Sequence, residues 1–114
     1  MDDRLPTHLW VSALLRRAQV AGAGAFVLSK GDAERGDVLL KVARLDGTAA
    51  AYVPRTDMEG RRVFLDLAAQ GIGPDEADVD AYVARARARD GDLWVVEIED
   101  RDGETYLTER ITRD

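Results

Sequence analysis

The chain has 114 residues, with 22 Asp and Glu against 16 Lys and Arg, one His and no Cys. This length supports one domain over residues 1–114, and a composition of 46 % hydrophobic and 33 % charged residues is typical of a soluble globular protein. The missing Cys excludes disulfides, thiolate metal sites and cysteine nucleophiles, and a single His excludes a zinc site built from His alone within one chain. No apolar run approaches the ~20 residues of a membrane span. The N-terminus lacks the features of a secretory signal, so we expect a cytoplasmic protein.

The first predicted element is a helix over Thr7–Ala21, with Thr7 as its N-cap after Pro6. Val11, Leu14, Leu15 and Ala18 form one apolar stripe of this helix, which is widened by Leu9, Trp10, Ala13 and Ala21. They span an arc wider than the roughly 100° that a surface helix turns toward a core. We therefore predict a helix that is buried around most of its circumference or is covered by a partner.

Four strands are predicted next, over Ala25–Ser29, Val38–Leu45, Thr48–Arg55 and Arg62–Leu67. Between the second and third strands lies an Asp-Gly dipeptide at residues 46 and 47, the typical centre of a two-residue hairpin turn. Such a turn pairs Leu45 with Thr48, Val42 with Ala51, and Leu40 with Val53. The two apolar pairs, Val42 with Ala51 and Leu40 with Val53, share one face of the hairpin, which supports the predicted register.

A second helix is predicted over Asp75–Arg89, where acidic side chains at the start and arginines at the end complement the helix dipole. Its apolar stripe consists of Val79, Tyr82, Val83 and Ala86. The last predicted unit is a hairpin of Asp92–Asp100 with Glu104–Ile111, turning at Asp102 and Gly103. Its register puts a set of apolar side chains on one buried face: Trp94, Val96, Ile98, Leu107 and Ile111.

These elements predict an α+β fold, an antiparallel sheet built from hairpins with two helices, in the order helix, four strands, helix, two strands. One face of each hairpin is apolar and the other is polar. We therefore expect a one-sided sheet that carries both helices on its buried face.

Three stretches of the chain carry a family resemblance: LWVSALLRRA at residues 9–18, DAYVAR at residues 80–85 and DLWVVEIED at residues 92–100. The pattern resembles a family of small bacterial proteins that is catalogued only as a domain of unknown function. The resemblance covers nearly the whole chain and implies a single compact bacterial domain. It brings no activity, substrate or catalytic residue with it.

An acidic turn near the C-terminus is the one partial match to a metal-binding motif. With Gly103 at the sixth position of a calcium loop, Asp100, Asp102 and Glu109 fall at the third, fifth and twelfth positions. The first position would be Ile98, whose side chain cannot bind a cation. We therefore predict a hairpin turn without a metal, and no cofactor.

No catalytic or phosphate-binding motif emerges from the remaining polar residues. His8 lies beside the predicted helix start, and Ser12 one turn later lacks the strand-to-helix elbow of a nucleophile. The glycines at residues 22 and 24 follow a helix and precede a strand, the reverse of the order in a dinucleotide site. A net charge of −6 with interspersed basic residues disfavours nucleic acid, and neither helix has the cationic face that a membrane surface requires.

Two classes of function fit these observations. The first is a non-catalytic adaptor or regulatory module that acts by protein–protein contact, as a homodimer or with another protein. The residues proposed for this contact are Leu9, Trp10, Ala13 and Arg17. The second class is a small enzyme or acidic-metabolite-binding domain, with Arg17 binding the acid and Glu97 or Glu99 polarising it. The scarcity of His and Cys chemistry favours the first class, and Trp and Arg are enriched at the energetic centres of interfaces.

Overall fold

A computed structural model of the protein describes residues 5–113. Its elements are α1 (Thr7–Val20), β1 (Gly24–Ser29), β2 (Val38–Ala43), β3 (Ala49–Thr56), β4 (Arg62–Asp66), a 3₁₀ turn (Leu67–Gln70), α2 (Glu76–Arg89), β5 (Trp94–Glu99) and β6 (Ile111–Thr112). The predicted α+β class and the order helix, four strands, helix, two strands are confirmed. Neither of these helices is long and apolar enough to cross a bilayer.

The strands form one mixed sheet in the order β1-β5-β2-β3-β4-β6. Neighbours are antiparallel except for the β2–β5 and β4–β6 pairs. Strand β5 therefore pairs with β1 and β2, and the predicted hairpin of residues 92–100 with residues 104–111 is wrong. The chain after β5, which we name the crossing segment (residues 100–110), contains no strand and leads to β6 beside β4.

Both faces of the sheet are covered, so the expected one-sided sheet is also wrong. On one face α1 packs against a cluster that includes Val38, Leu40, Val42, Tyr52, Phe64, Trp94, Val96 and Ile98. On the other face α2 packs against Leu39, Ala51, Leu65 and Val95 through its predicted stripe of Val79, Val83 and Ala86. Strands covered on both faces are apolar at nearly every position, and β2 is buried along its whole length.

The predicted inner face of the last hairpin is only partly correct. Trp94, Val96 and Ile98 lie in the α1-side cluster, and Leu107 packs against it from the crossing segment. Ile111 remains 40 % exposed, because β6 lies at the outer edge of the sheet.

The β2–β3 hairpin forms, but its register differs by one residue from the predicted one. Leu40 pairs with Tyr52 and Val42 with Ala50. The Asp46 carboxylate accepts hydrogen bonds from the Thr48 backbone N–H at 2.9 Å and from its hydroxyl at 2.6 Å. The Arg44 N–H then donates to the Thr48 carbonyl, which closes a three-residue loop where a two-residue turn was predicted.

Helix α1 is buried along one stripe only, which corrects the expectation of burial around most of its circumference. Val11, Leu14 and Ala18 are buried, whereas Leu9 is 47 % and Val20 is 79 % exposed. A helix that packs on one face of a sheet needs no wider contact.

Thr7 is the first helical residue of α1 and not its N-cap. Its hydroxyl donates to the Gly36 carbonyl at 2.8 Å, and its backbone N–H donates to the Glu34 carbonyl. The N–H of His8 donates to the Ala33 carbonyl. The loop between β1 and β2 therefore satisfies the free N–H groups at the helix start, which no side chain caps.

Candidate functional site

A cleft of about 200 Å³ opens where the start of α1 meets β2, β4 and the crossing segment. It is lined by Leu5, Thr7, Trp10, Val38, Arg62 and Glu109, and we name it the Trp10 cleft. Val38 adjoins the cleft but is fully buried, while Leu5 is 57 % exposed. The cleft thus combines an apolar lining with one cationic and one anionic side chain.

The orientation of Trp10 is set by three neighbours. Its Nε1 donates to the Glu109 carboxylate at 2.7 Å. Its ring stacks on Phe64, with the centroids 5.5 Å apart and the planes at 15°. The Arg62 guanidinium lies 5.9 Å from the Trp10 ring centroid and 5.6 Å from that of Phe64, within cation–π range. These contacts make Trp10 a rigid wall of the cleft.

Arg17 holds the crossing segment against α1. Its Nε donates to the Tyr106 carbonyl at 2.9 Å, and Tyr106 has a positive φ of 61°. The Tyr106 hydroxyl in turn donates to the Asp100 carboxylate at 3.0 Å. The sequence alone could not identify this acceptor, because it lies 89 residues away in the chain.

Lys41 on β2 forms a buried ionic cluster with α2 and β5 that sequence analysis did not identify. Its Nζ lies 2.7 Å from Glu76, 2.7 Å from Asp80 and 3.1 Å from Glu97. Burial lowers the pKa of Lys41, but the hydrogen bonds to these carboxylates outweigh it and raise the pKa above the ordinary value. Lys41 is therefore a permanent cation at neutral pH and has no nucleophilic amine. The sequence did contain an indication of this cluster, because Lys41 is the single charged residue in the apolar strand VLLKVA.

Arg17 is not brought together with the two carboxylates proposed to work with it. It belongs to α1, which packs on the sheet face that carries Val96 and Ile98. Side chains alternate along a strand, so Glu97 and Glu99 face the opposite side. Glu97 contacts Lys41, and the Glu99 carboxylate lies beside Gly24 of β1.

The acidic turn after β5 is stabilised by internal donors. The Asp100 carboxylate accepts from the backbone N–H groups of Asp102 at 3.1 Å and Glu104 at 2.8 Å, in addition to the Tyr106 hydroxyl. The Glu104 N–H, foremost among these, holds the pKa of Asp100 below its ordinary value. Within residues 5–113 no group of three or more His, Asp or Glu side chains could hold a metal ion. His8 is exposed at the start of α1.

Strand β1 forms an open edge of the sheet with an apolar outer surface. Its six residues, GAFVLS, carry no charge, and Phe26 and Leu28 are 47 % and 49 % exposed. The opposite edge strand, β6, has only two residues. Long, uncharged edge strands are prone to pair with another strand, whereas very short ones resist it. Sequence analysis predicted this strand but not its edge position, which depends on long-range pairing.

The fold defines a small α+β domain whose mixed six-stranded sheet carries one helix on each face. Sequence comparison then identifies the particular family: residues 5–108 match the model described as Protein of unknown function (DUF1491), and the chain belongs to that family. The resemblance to a bacterial family of unknown function is thereby confirmed.

Solved structures of bacterial proteins resemble this chain closely. A crystal structure of a DUF1491 family protein from Caulobacter crescentus CB15 is 46 % identical, with a TM-score of 0.87, over 96 % of this chain and 100 % of that chain. An NMR structure of a DUF1491 family protein from the same organism is 47 % identical, with a TM-score of 0.82, over 95 % and 96 % of the two chains. The solution structure of protein Atu0922 from A. tumefaciens is 30 % identical, with a TM-score of 0.76, over 97 % and 99 %. No curated protein matches the chain.

Proposed function

We propose that this protein is a non-catalytic cytoplasmic module that acts by protein–protein contact, and that it pairs with a second copy of itself through the edge strand β1. The observation that carries the proposal is the exposure of Phe26 and Leu28 on an uncharged edge strand. An added strand would satisfy the edge backbone groups and cover both side chains.

The sequence of β1 is self-complementary in an antiparallel register centred on Val27. In that register Phe26 of each copy lies opposite Leu28 of the other, so the two exposed apolar side chains of one copy meet those of the second. The pairing of β1 with β5 shifts between Val27 and Ser29, so β1 must straighten there for this contact to form. A two-fold axis at Val27 makes the contact isologous, as in the commonest class of homodimer.

Charge at the two ends of β1 supports the same register. Lys30 is exposed just after the strand, and it would lie opposite Gly24 of the second copy. The Glu99 carboxylate lies beside Gly24, so opposite charges approach each other at both ends of the contact. Exposed ion pairs contribute little affinity, about 0–1 kcal/mol each, but they favour one register over a shifted one.

The outer surface of α1 is the second candidate for a contact. Leu9 and Ala13 are exposed there, as a partner contact requires. Trp10 and Arg17, however, already bind Glu109 and the Tyr106 carbonyl, so the side chains with the most binding potential are engaged within the chain. This arrangement favours β1 over α1.

The test is light scattering of the purified protein over a concentration series, with three charge-introducing variants. We expect the wild type to approach twice the monomer mass at roughly hundreds of micromolar, because a single-strand contact is small and weak. Phe26→Lys should stay monomeric. Leu9→Lys probes the α1 surface, and Met58→Lys is a matched control because Met58 is fully exposed in the β3–β4 turn.

A dimer that survives Phe26→Lys but is lost in Leu9→Lys would move the contact to α1. A wild type that remains monomeric at millimolar concentration would overturn self-association. Dissociation by Met58→Lys as well would show that added positive charge, and not the β1 surface, controls the assembly.

A further inference from the structure

We infer that the Trp10 cleft binds a small zwitterion with an apolar body, of the chemical class of a free apolar α-amino acid. This inference does not depend on protein–protein contact through β1, because the cleft lies at the other end of the sheet, beside β4. It rests on the size of the cleft, its apolar lining and the two opposite charges in it.

The size of the cleft limits the ligand. Pockets for drug-sized molecules measure about 300–1,000 Å³, and this cleft measures about 200 Å³. Leu5 and the Trp10 ring supply the accessible apolar surface for a side chain of the size of leucine, and the fully buried Val38 lies behind them. Rigid aromatic walls bind apolar groups at a low entropic cost, and the stack on Phe64 holds Trp10 in place.

The charges of the cleft define the polar part of the ligand. Arg62 and Glu109 both line it, so their formal charges cancel. A ligand that covers them is favoured if it supplies an acceptor for the guanidinium and a donor for the carboxylate, because displacing water from a charged group without replacing its hydrogen bonds is costly. An α-carboxylate and an α-ammonium on the same carbon atom meet both demands.

Both side chains are held at the cleft by contacts within the chain. Glu109 is held by the Trp10 Nε1 hydrogen bond, and Arg62 lies over the rings of Trp10 and Phe64. Arg62 has further interactions of its own, so a ligand carboxylate would join or replace one of them. A ligand that has a carboxylate but no ammonium group would be repelled by Glu109. A ligand that has an ammonium group but no carboxylate would be repelled by Arg62.

The test uses the indole N–H resonances of the ¹⁵N-labelled full chain. The chain contains two Trp residues, so the two signals are assigned with one variant, Trp10→Phe. Titration with L-leucine should shift the Trp10 signal saturably, with a dissociation constant on the order of 10⁻³ M. The Trp94 signal is an internal control, because its Nε1 is bonded to the Asp32 carbonyl at 2.8 Å and lies outside the cleft.

Ligand analogues and a matched pair of variants test the recognition chemistry. Glycine, which lacks the apolar body, and isopentylamine, which lacks the carboxylate, should each shift the Trp10 signal at least about tenfold more weakly than L-leucine. Glu109→Gln should weaken L-leucine binding by a similar factor, whereas Glu104→Gln, an exposed substitution in the same segment, should leave it unchanged.

Three outcomes would overturn the inference. They are no saturable shift of the Trp10 signal up to about 50 mM L-leucine, equal shifts with glycine, and unchanged affinity in Glu109→Gln with an unperturbed Trp94 signal. The analogue series uses only the wild type, so it decides the question even where Glu109→Gln disturbs the fold.

Discussion

Lys41 joins the second helix to the middle of the sheet. It is 5 % exposed, and its three carboxylate partners come from α2 and β5. A buried cation without partners would be costly, but here the carboxylates replace the water that the ammonium loses. The partners differ in exposure, from 15 % for the Glu97 side chain to 57 % for Asp80. Replacing Lys41 should therefore lower the free energy of unfolding more than replacing any single one of its partners.

We predict that Lys41→Met lowers the free energy of unfolding by about 2–4 kcal/mol, because it leaves Glu97 and its neighbours as clustered, partly buried negative charges. Asp80→Asn should cost about 0.5–1 kcal/mol, since an exposed ion pair contributes little. Urea denaturation of both variants at neutral pH measures the difference. Equal losses in the two variants would contradict a role for burial in this cluster.

The pH dependence of this stabilisation follows from the direction of the pKa shift. Because the folded pKa of Lys41 is raised, its contribution is fully present below the unfolded pKa of about 10.4 and is lost as the pH rises through the folded value. The difference between wild type and Lys41→Met should stay constant from neutral pH to about pH 10 and shrink only in more alkaline buffer.

At the scale of elements, the loop between β1 and β2 is fitted closely against the start of β5. Gly31 and Gly36 both lie against the Asp92 carbonyl, where an added Cβ would clash with backbone atoms. The same loop accepts the N–H groups at the start of α1 and the indole N–H of Trp94. The loop therefore connects a helix and two strands through contacts that leave no room for side chains at these two positions.

We predict that Gly31→Ala destabilises the protein by about 2–4 kcal/mol, because backbone atoms of the loop or of residue 92 must move to admit the methyl group. Gly91→Ala is the matched control, since nothing lies within 4 Å of the added Cβ there. Thermal unfolding of the two variants measures the effect. If Gly31→Ala and Gly91→Ala have equal melting temperatures, the loop can move to admit the methyl group without a loss of stability.

At the scale of the whole molecule, stability is concentrated in the centre of the sheet. Strands β2 and β5 lie between other strands and under both helices, and Leu40, Val42, Val95, Val96 and Ile98 are at most 1 % exposed. The crossing segment contains no strand and is held by side-chain contacts such as the Arg17 bond to Tyr106. These two parts of the chain should open with different free energies.

We predict that amide hydrogen exchange is slowest in β2 and β5, where it requires global unfolding, and at least about 100-fold faster in the crossing segment. Exchange followed by NMR or mass spectrometry at a concentration that favours the monomer measures the ratio. Comparable protection in the two regions would mean that the crossing segment unfolds together with the sheet.

The local elements could be predicted from the sequence because their signals are local. Helical spacing predicted the α2 stripe of Val79, Val83 and Ala86, and acidic and basic ends predicted its limits within one residue. The Asp-Gly dipeptide correctly placed the β2–β3 turn. The length of the loop, however, depends on the hydrogen bonds between Asp46 and Thr48. The loop has three residues instead of two, and the register of the strands is therefore shifted by one residue. Where both faces of a strand are apolar, hydrophobic alternation cannot detect such a shift.

From the sequence, the candidate sites could be predicted only as individual residues, without the partners that those residues contact. Sequence analysis identified Trp10 as a functional candidate, but its partner Glu109 lies 99 residues later in the chain. Glu97 was proposed to act with Arg17, whereas the sheet separates them and places Glu97 against Lys41. Each of these contacts joins elements whose adjacency depends on strand order, and no local pattern encodes that order.

The sequence by itself determined the fold class, the order of the helices and strands, the approximate limits of all but the last strand, and the family, since propensity, periodicity and turn chemistry act over a few residues. Only the tertiary structure decided that β5 enters the sheet between β1 and β2, that the helices lie on opposite faces, and that β1 is left at an edge. A strand pairs with whichever neighbour buries both of its faces best. For β5 that neighbour is the fully buried β2, more than 50 residues earlier in the chain, rather than the polar segment that follows it.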